Sequence, residues 1–393
     1  MKKLLVATAL AALMSTAVNA ETIKLGVILG YTGPIESLTP DMAAGAELAI
    51  KEVSKSGALL GGAKVVSVRG DTTCTDSAAA TAATERLVTS DNINAIVGGD
   101  CSGVTTAMLQ NVALANGIVM VSPSATSPAL STIKDNGLFF RTAPSDARQG
   151  QVITAVLKDK GITSAALTYT NNDYGKGLAN SIKTNFEKSG GKITISAAHE
   201  DGKADYTAEV GALAAAGGQV LIVAGYLDQG GKGIIQAALD TGAFETFVLP
   251  DGMIGDSLPM AIGKDLNGSF GTVPGTDSPG AAKFGEMAKA AGFKAGPFAS
   301  ESYDAAALIM LAMQAAGSSK SKMLKDKIMG VANAPGTKIF PGELAKGLKI
   351  LAGGGQVDYV GASAVELIGA GESAGNYREI LVSGGKNTTA RFR

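Results

Sequence analysis

Short runs of apolar residues alternate along nearly the whole chain with longer stretches in which apolar residues recur at three and four positions. The run KLGVILG at 24–30 predicts a buried strand, and residues 42–53 carry the spacing of an amphipathic helix. VVSVRG, NAIVGG and GIVMVSP predict further buried strands, separated by Ala-rich helices over 77–89 and 102–116. After the interruption RTAPSDARQG at 141–150 the pattern starts again. Helices over 149–160, 176–189, 206–216 and 231–240 alternate with the strands SAALTYT, KITIS, VLIVAGY and TFVLP. Residues 281–351 are strongly helical, and 360–373 followed by 376–382 predicts a terminal β-hairpin. Strand and helix in such regular alternation imply an α/β fold of two doubly wound, mostly parallel sheets.

Residues 1–20 break this pattern with two lysines, an apolar run over 4–13 and the small-residue ending Val18-Asn19-Ala20, which predict a secretory signal peptide cut after Ala20. The apolar run is far below the ~20 residues that cross a bilayer. Removing Lys2 and Lys3 from 34 basic residues leaves 32 against 35 acidic ones, a net charge near −3. With no basic block, nucleic acid and anionic lipid are poor partners. The mature length exceeds what one core serves and predicts two domains.

Two cysteines in an exported chain point to a disulfide, Cys74–Cys101, closing a loop of 27 residues. A nucleophilic Cys101 would need a base, and the only histidine, His199, lies in a polar stretch without an evident partner. No nucleophile elbow, zinc-ligand spacing or dinucleotide loop is present; GYLDQGGKG at 225–233 has Gly231 where a phosphate loop needs lysine. No cofactor or metal is expected. Open parallel sheets bind ligands at the carboxyl ends of their strands. Three such ends carry hydroxyls here: YTGP, GDCSG and SPSATSP. Each alone reads as a helix cap; together on one edge they make an anion cradle.

The segments IKLGVILGYTGP, GAELAIKEV, VSPSATSPAL, FFRTAPSDARQG, NNDYGKGLANS, SYDAAAL and VDYVGAS, with the placement of Cys74 and Cys101, resemble in their order the periplasmic leucine/isoleucine/valine-binding proteins, the solute receptors of branched-chain amino-acid ABC transporters. The resemblance covers nearly all of the mature chain. It implies two Rossmann-like lobes, 21–144 with 275–361 and 145–274 with 362–393, joined by crossings near 143–146, 272–275 and 359–363. Carried over by position, Ser102, Ser124, Ala125 and Thr126 would meet a ligand carboxylate. Tyr174 and Tyr226 would flank its ammonium, and Asp251 would pair with it. Leu38 stands where the family has an aromatic, and Asp251 where it has glutamate, one methylene longer. Ala299 and Ser300 replace bulkier residues near the mouth, with Glu36 and Glu301 close by. Plain readings stand beside these: caps for Ser102 and Thr126, loop-packing aromatics for Tyr174 and Tyr226.

The resemblance therefore implies a monomeric, non-enzymatic periplasmic receptor that captures an aliphatic amino acid and hands it to an inner-membrane permease. An amide, urea or aromatic acid is the alternative ligand on the same fold; an exported hydrolase or dehydrogenase is the remote one.

Overall fold

Strand β1 (Thr22–Leu29) is buried at nearly every position in the computed structural model, which describes residues 21–393; the expected signal peptide lies outside the described residues. A parallel strand covered by helices on both faces needs apolar residues on both. Beside it run β2 (Lys64–Asp71), β3 (Ala95–Gly98), β4 (Met120–Ser122) and β5 (Phe139–Pro144), all parallel, in the order 2-1-3-4-5. A second sheet of β6 (Ser164–Thr170), β7 (Lys192–His199), β8 (Val220–Ala224), β9 (Phe247–Leu249) and β10 (Phe270–Pro274) repeats that order as 7-6-8-9-10. Each sheet reverses its strand order beside its first strand, which is where such sheets open a crevice for ligands.

The remaining strands finish the edges. A parallel ribbon forms from β11 (Thr337–Ile339) and β12 (Val357–Tyr359). Next, β13 (Leu367–Ile368) and β14 (Glu372–Ser373) join the first sheet beside β5. Finally β15 (Tyr377–Ser383) and β16 (Lys386–Phe392) form an antiparallel hairpin beside β10. Two expectations are corrected here. The third crossing lies at 374–376, not near 359–363, so residues 362–373 pack with the first lobe. The terminal hairpin pairs β15 with β16, while 360–373 goes to the other sheet. Strands of two residues are too short to show any period, and nothing in the sequence separates them from loop.

The core of the first lobe is built on α-helix Ala299–Ala316, buried without a break from Glu301 to Met313. It crosses α-helix Thr39–Ser56 so closely that a Cβ on Gly45 would lie 2.3 Å from the Ala299 carbonyl oxygen. Only glycine allows that approach. Ala299 meets this helix through its backbone and lines none of the cavities described below.

Candidate functional site

The carboxyl ends of six strands, three from each lobe, converge on one enclosed space between the sheets. Ile35 and Leu38 follow β1; Asp100, Cys101 and Ser102 follow β3; Ser124 follows β4. Across the cleft, Tyr174 follows β6, Tyr226 follows β8, and Asp251 with Gly252 follows β9, while Phe298 closes one end. About 330 Å³ of atom-free space lies between and in front of them, open solvent included, and about 20 Å³ of it is wide enough to take the centre of a water molecule. The lobes are already closed: Ser37 N–H donates to Asp228 Oδ2 at 2.9 Å, and Asp228 N–H donates to the Pro34 carbonyl at 3.1 Å.

The first-lobe wall is made of neutral groups with structural duties of their own. Cys101 is extended at the start of α-helix Ser102–Met108 and is bridged to Cys74, with Cα atoms 5.2 Å apart. The bridge ties the β3 turn to the loop after β2. Ser102 Oγ accepts from the Ser127 N–H at 3.0 Å, and Ser124 Oγ donates to the Asp100 carbonyl at 3.1 Å. Ala125 does not line the cavity: its N–H donates to Ser122 Oγ at 2.9 Å and its carbonyl accepts from Arg141 Nη1 at 3.0 Å. Thr126 also stands behind the wall, its Oγ1 buried without a hydrogen-bond partner among the described residues.

Two charged residues that sequence reasoning passed over shape this wall. Buried Arg141 holds the 124–128 loop from behind, bonding the Ala125 and Ser127 carbonyls and pairing with Glu372. Asp100 accepts from the Gly30 N–H at 2.5 Å and from Thr72 Oγ1 at 3.1 Å, tying three strand ends together; burial raises its pKa above the usual carboxylate range. Neither carries a local pattern, since their side-chain partners are ten or more positions away.

The second-lobe wall is different in kind. Tyr174 OH donates to Asp251 Oδ1 at 2.7 Å and accepts from the Gly252 N–H at 3.1 Å. Its ring stacks on Tyr226 with centroids 5.1 Å apart. Asp251 is 2% exposed, and burial pushes its carboxyl up to about 6 despite the Tyr174 hydroxyl and the Gly252 N–H. Asp146 is fully buried, neither carboxylate oxygen having a well-formed hydrogen bond among the described residues, although the neighbouring Thr126 hydroxyl and the Arg141 charge favour its ionised form. Burial and then the charge of Asp251 raise its pKa well above the ordinary range. An acid lining a cavity without basic side chains, with a second buried acid raising its neighbour's pKa, favours a cation there. In the sequence Asp146 follows the capping Ser145 and reads as an ordinary first-turn acid, which conceals it.

Leu38, Ser102, Ser124, Tyr174, Tyr226 and Asp251 are thus brought to one cavity, with Ala125 and Thr126 one layer behind. Glu36 is exposed and lines none of the cavities, whereas Glu301 is buried. Among the described residues there is no cluster of three metal-ligating side chains, and no helix is long and apolar enough to cross a membrane.

Paired doubly wound lobes that close over a cleft at their strand ends define a two-lobed solute receptor. The chain belongs to the periplasmic binding protein family, which it matches over residues 22–344. It is 30% identical over 278 residues to the leucine-, isoleucine-, valine-, threonine- and alanine-binding protein of Pseudomonas aeruginosa, covering 70% of this chain and 72% of that one. In structure it is similar to a leucine-binding protein, LivK, of Thermotoga maritima, with TM-score 0.80, 21% identity and 94% and 98% of the two chains covered. It is also similar to an ABC-transporter solute-binding protein of R. palustris in complex with benzoate, with TM-score 0.76, 20% identity and 94% and 96% coverage.

Proposed function

We propose that the protein is the substrate-binding component of an ABC transporter, that it captures an aliphatic α-amino acid between its closing lobes, and that it delivers it to a membrane permease. The observation that carries this reading is the buried Asp251, backed by Asp146, in a cavity lined by no basic side chain. An ammonium completes that arrangement. The ligand carboxylate would turn to the first lobe, where Ser102, Ser124 and the N–H groups at the start of the helix supply neutral donors, with Ala125 and Thr126 fixing the loop behind them. Leu38, Ile35 and Phe298 would surround the side chain. Binding without turnover, action as a monomer in the periplasm after cleavage at Ala20, and indifference to nucleic acid belong to the same reading.

The benzoate complex of a structural neighbour favours one alternative, an aromatic acid. Such a ligand offers nothing to Asp251 and adds a negative charge to an acidic cavity. Calorimetric titration of protein unfolded and refolded to strip carried ligand separates the two. Leucine, isoleucine, valine, threonine or alanine should bind and benzoate should not. Binding of benzoate with silence toward every amino acid overturns the reading.

A further inference from the structure

Behind the wall formed by Phe298 lies a second chamber of about 340 Å³ open to water, which shares Phe298 with the enclosed cavity. It lies among the lobe crossings, lined by Gly275 and Thr276 just beyond β10 and by Arg378 just after the third crossing. Besides the exposed Asp277, two of its charged side chains, both buried or half-buried, have no structural occupation. Arg378 is half-buried, packed over Gly275, and its guanidinium makes no hydrogen bond or ion pair among the described residues. Every other arginine donates to a side chain. Glu301 is 3% exposed, and its carboxyl meets no other residue by hydrogen bond; burial pushes it up to about 7. Glu301 belongs to the first lobe and Arg378 to the second, so the chamber, like the main cavity, is completed by both.

The residue shared by the two spaces is held in a strained backbone conformation. Phe298 takes φ 61°, a conformation that L-residues with a bulky side chain rarely adopt, and it stands directly before the buried helix Ala299–Ala316. Leu38, where the resemblance leads one to expect an aromatic, borders both the enclosed cavity and the larger outer cleft that Arg378 also lines. The guanidinium and the Glu301 carboxyl act on each other's charge without a hydrogen bond between them, so the Arg378 fork keeps its donors free for a planar oxyanion.

We propose that this chamber is a second subsite, selective for a carboxylate at the far end of a ligand whose amino-acid head sits in the enclosed cavity, with Arg378 as the residue that sets that selectivity. The proposal rests on the amino-acid reading above and extends it to acidic, dicarboxylic amino acids of sufficient length. An amide in the same place would instead call for an ionised Glu301 accepting its N–H.

Titration of two matched pairs tests it: glutamate against glutamine, and 2-aminoadipate against its side-chain amide. At least one acid should bind about tenfold more tightly than its amide, and in Arg378→Gln that ratio should fall to about one while leucine affinity stays within about twofold. Amides binding as well as or better than both acids overturns the proposal, as does an equal loss of leucine and acid affinity in a folded Arg378→Gln. Should that variant melt below the assay temperature, Arg378→Lys replaces it and should keep part of the acid preference; an unchanged preference counts against the fork. If leucine and all four probes fail to bind, the amino-acid reading falls by itself. A rise in melting temperature with succinate that disappears in Arg378→Gln then keeps the chamber as an anion site, and no rise removes it.

Discussion

The two walls of the cavity face each other across a few ångströms, yet they recognise charge by opposite means. The first lobe presents hydroxyls and N–H groups that already serve the fold: Ser102 receives the Ser127 N–H, Ser124 holds the Asp100 carbonyl, and the helix start is fixed by the Cys74–Cys101 bridge. The second lobe presents Asp251, a buried carboxylate in a cavity lined by no basic side chain, with the fully buried Asp146 behind it. A capping hydroxyl has a structural reason to exist whether or not a ligand comes. A buried carboxylate without a counter-charge is costly and has none. Ligand class is therefore written mainly in the second lobe, and the first lobe supplies geometry.

The comparison breaks most directly at Asp251. Asp251→Asn keeps the shape and the Tyr174 contact but removes the charge, and it should weaken leucine binding about a hundredfold or more, read by calorimetry on protein whose melting curve shows it folded. A loss below about threefold would move the ammonium elsewhere. Titration of the same group gives the next largest effect. Asp251 ionises at about 6 in the ligand-free protein, so leucine affinity should be level above pH 7 and should fall below 6, approaching tenfold per unit as one proton competes with the ligand. Stability of the ligand-free protein runs the other way. The folded pKa of Asp251 lies above its ordinary 3.8, and that of Asp146 is raised too, so the native state binds more protons than the unfolded chain. Its melting temperature should rise as pH falls from 8 to about 5.5. A melting temperature that falls over that range, together with pH-independent leucine affinity, would mean that these acids are paired in solution.

What the sequence made legible follows the same division. Strand ends, helix starts and hydroxyl-bearing turns are local patterns, and Ser102, Ser124, Tyr174, Tyr226 and Asp251 arrive in one cavity from segments that already suggested it. Asp100 and Arg141 were hidden because each acts on loops distant in sequence: Asp100 bonds Gly30, and Arg141 binds Glu372. Asp146 was hidden because a capped helix gives an acid in its first turn an innocent explanation. Ala299 reads as an enlarged mouth but lines none of the cavities, and its backbone packs against Gly45, a close approach that no single position announces. The two-residue strands β13 and β14 moved the last crossing without leaving any periodic trace.

On the first-lobe wall the effects should be smaller. Ser102→Ala removes one neutral hydrogen bond to the carboxylate and the acceptor of the Ser127 N–H, and should cost leucine affinity about fivefold. An effect as large as that of Asp251→Asn would erase the distinction between the walls. The disulfide should matter least to the ligand and most to the fold. Closing a loop of 27 residues restricts the unfolded chain, and its removal in Cys74→Ser/Cys101→Ser should lower stability by about 3 kcal/mol in denaturant titration. Asp100 still ties Gly30 and Thr72 to the β3 end when the bridge is gone, so Ser102 should remain in place. Leucine affinity of the double variant, measured well below its unfolding midpoint, should then stay within about twofold. A tenfold loss in a protein that remains folded would make the bridge, and not the Asp100 network, the element that positions the carboxylate wall.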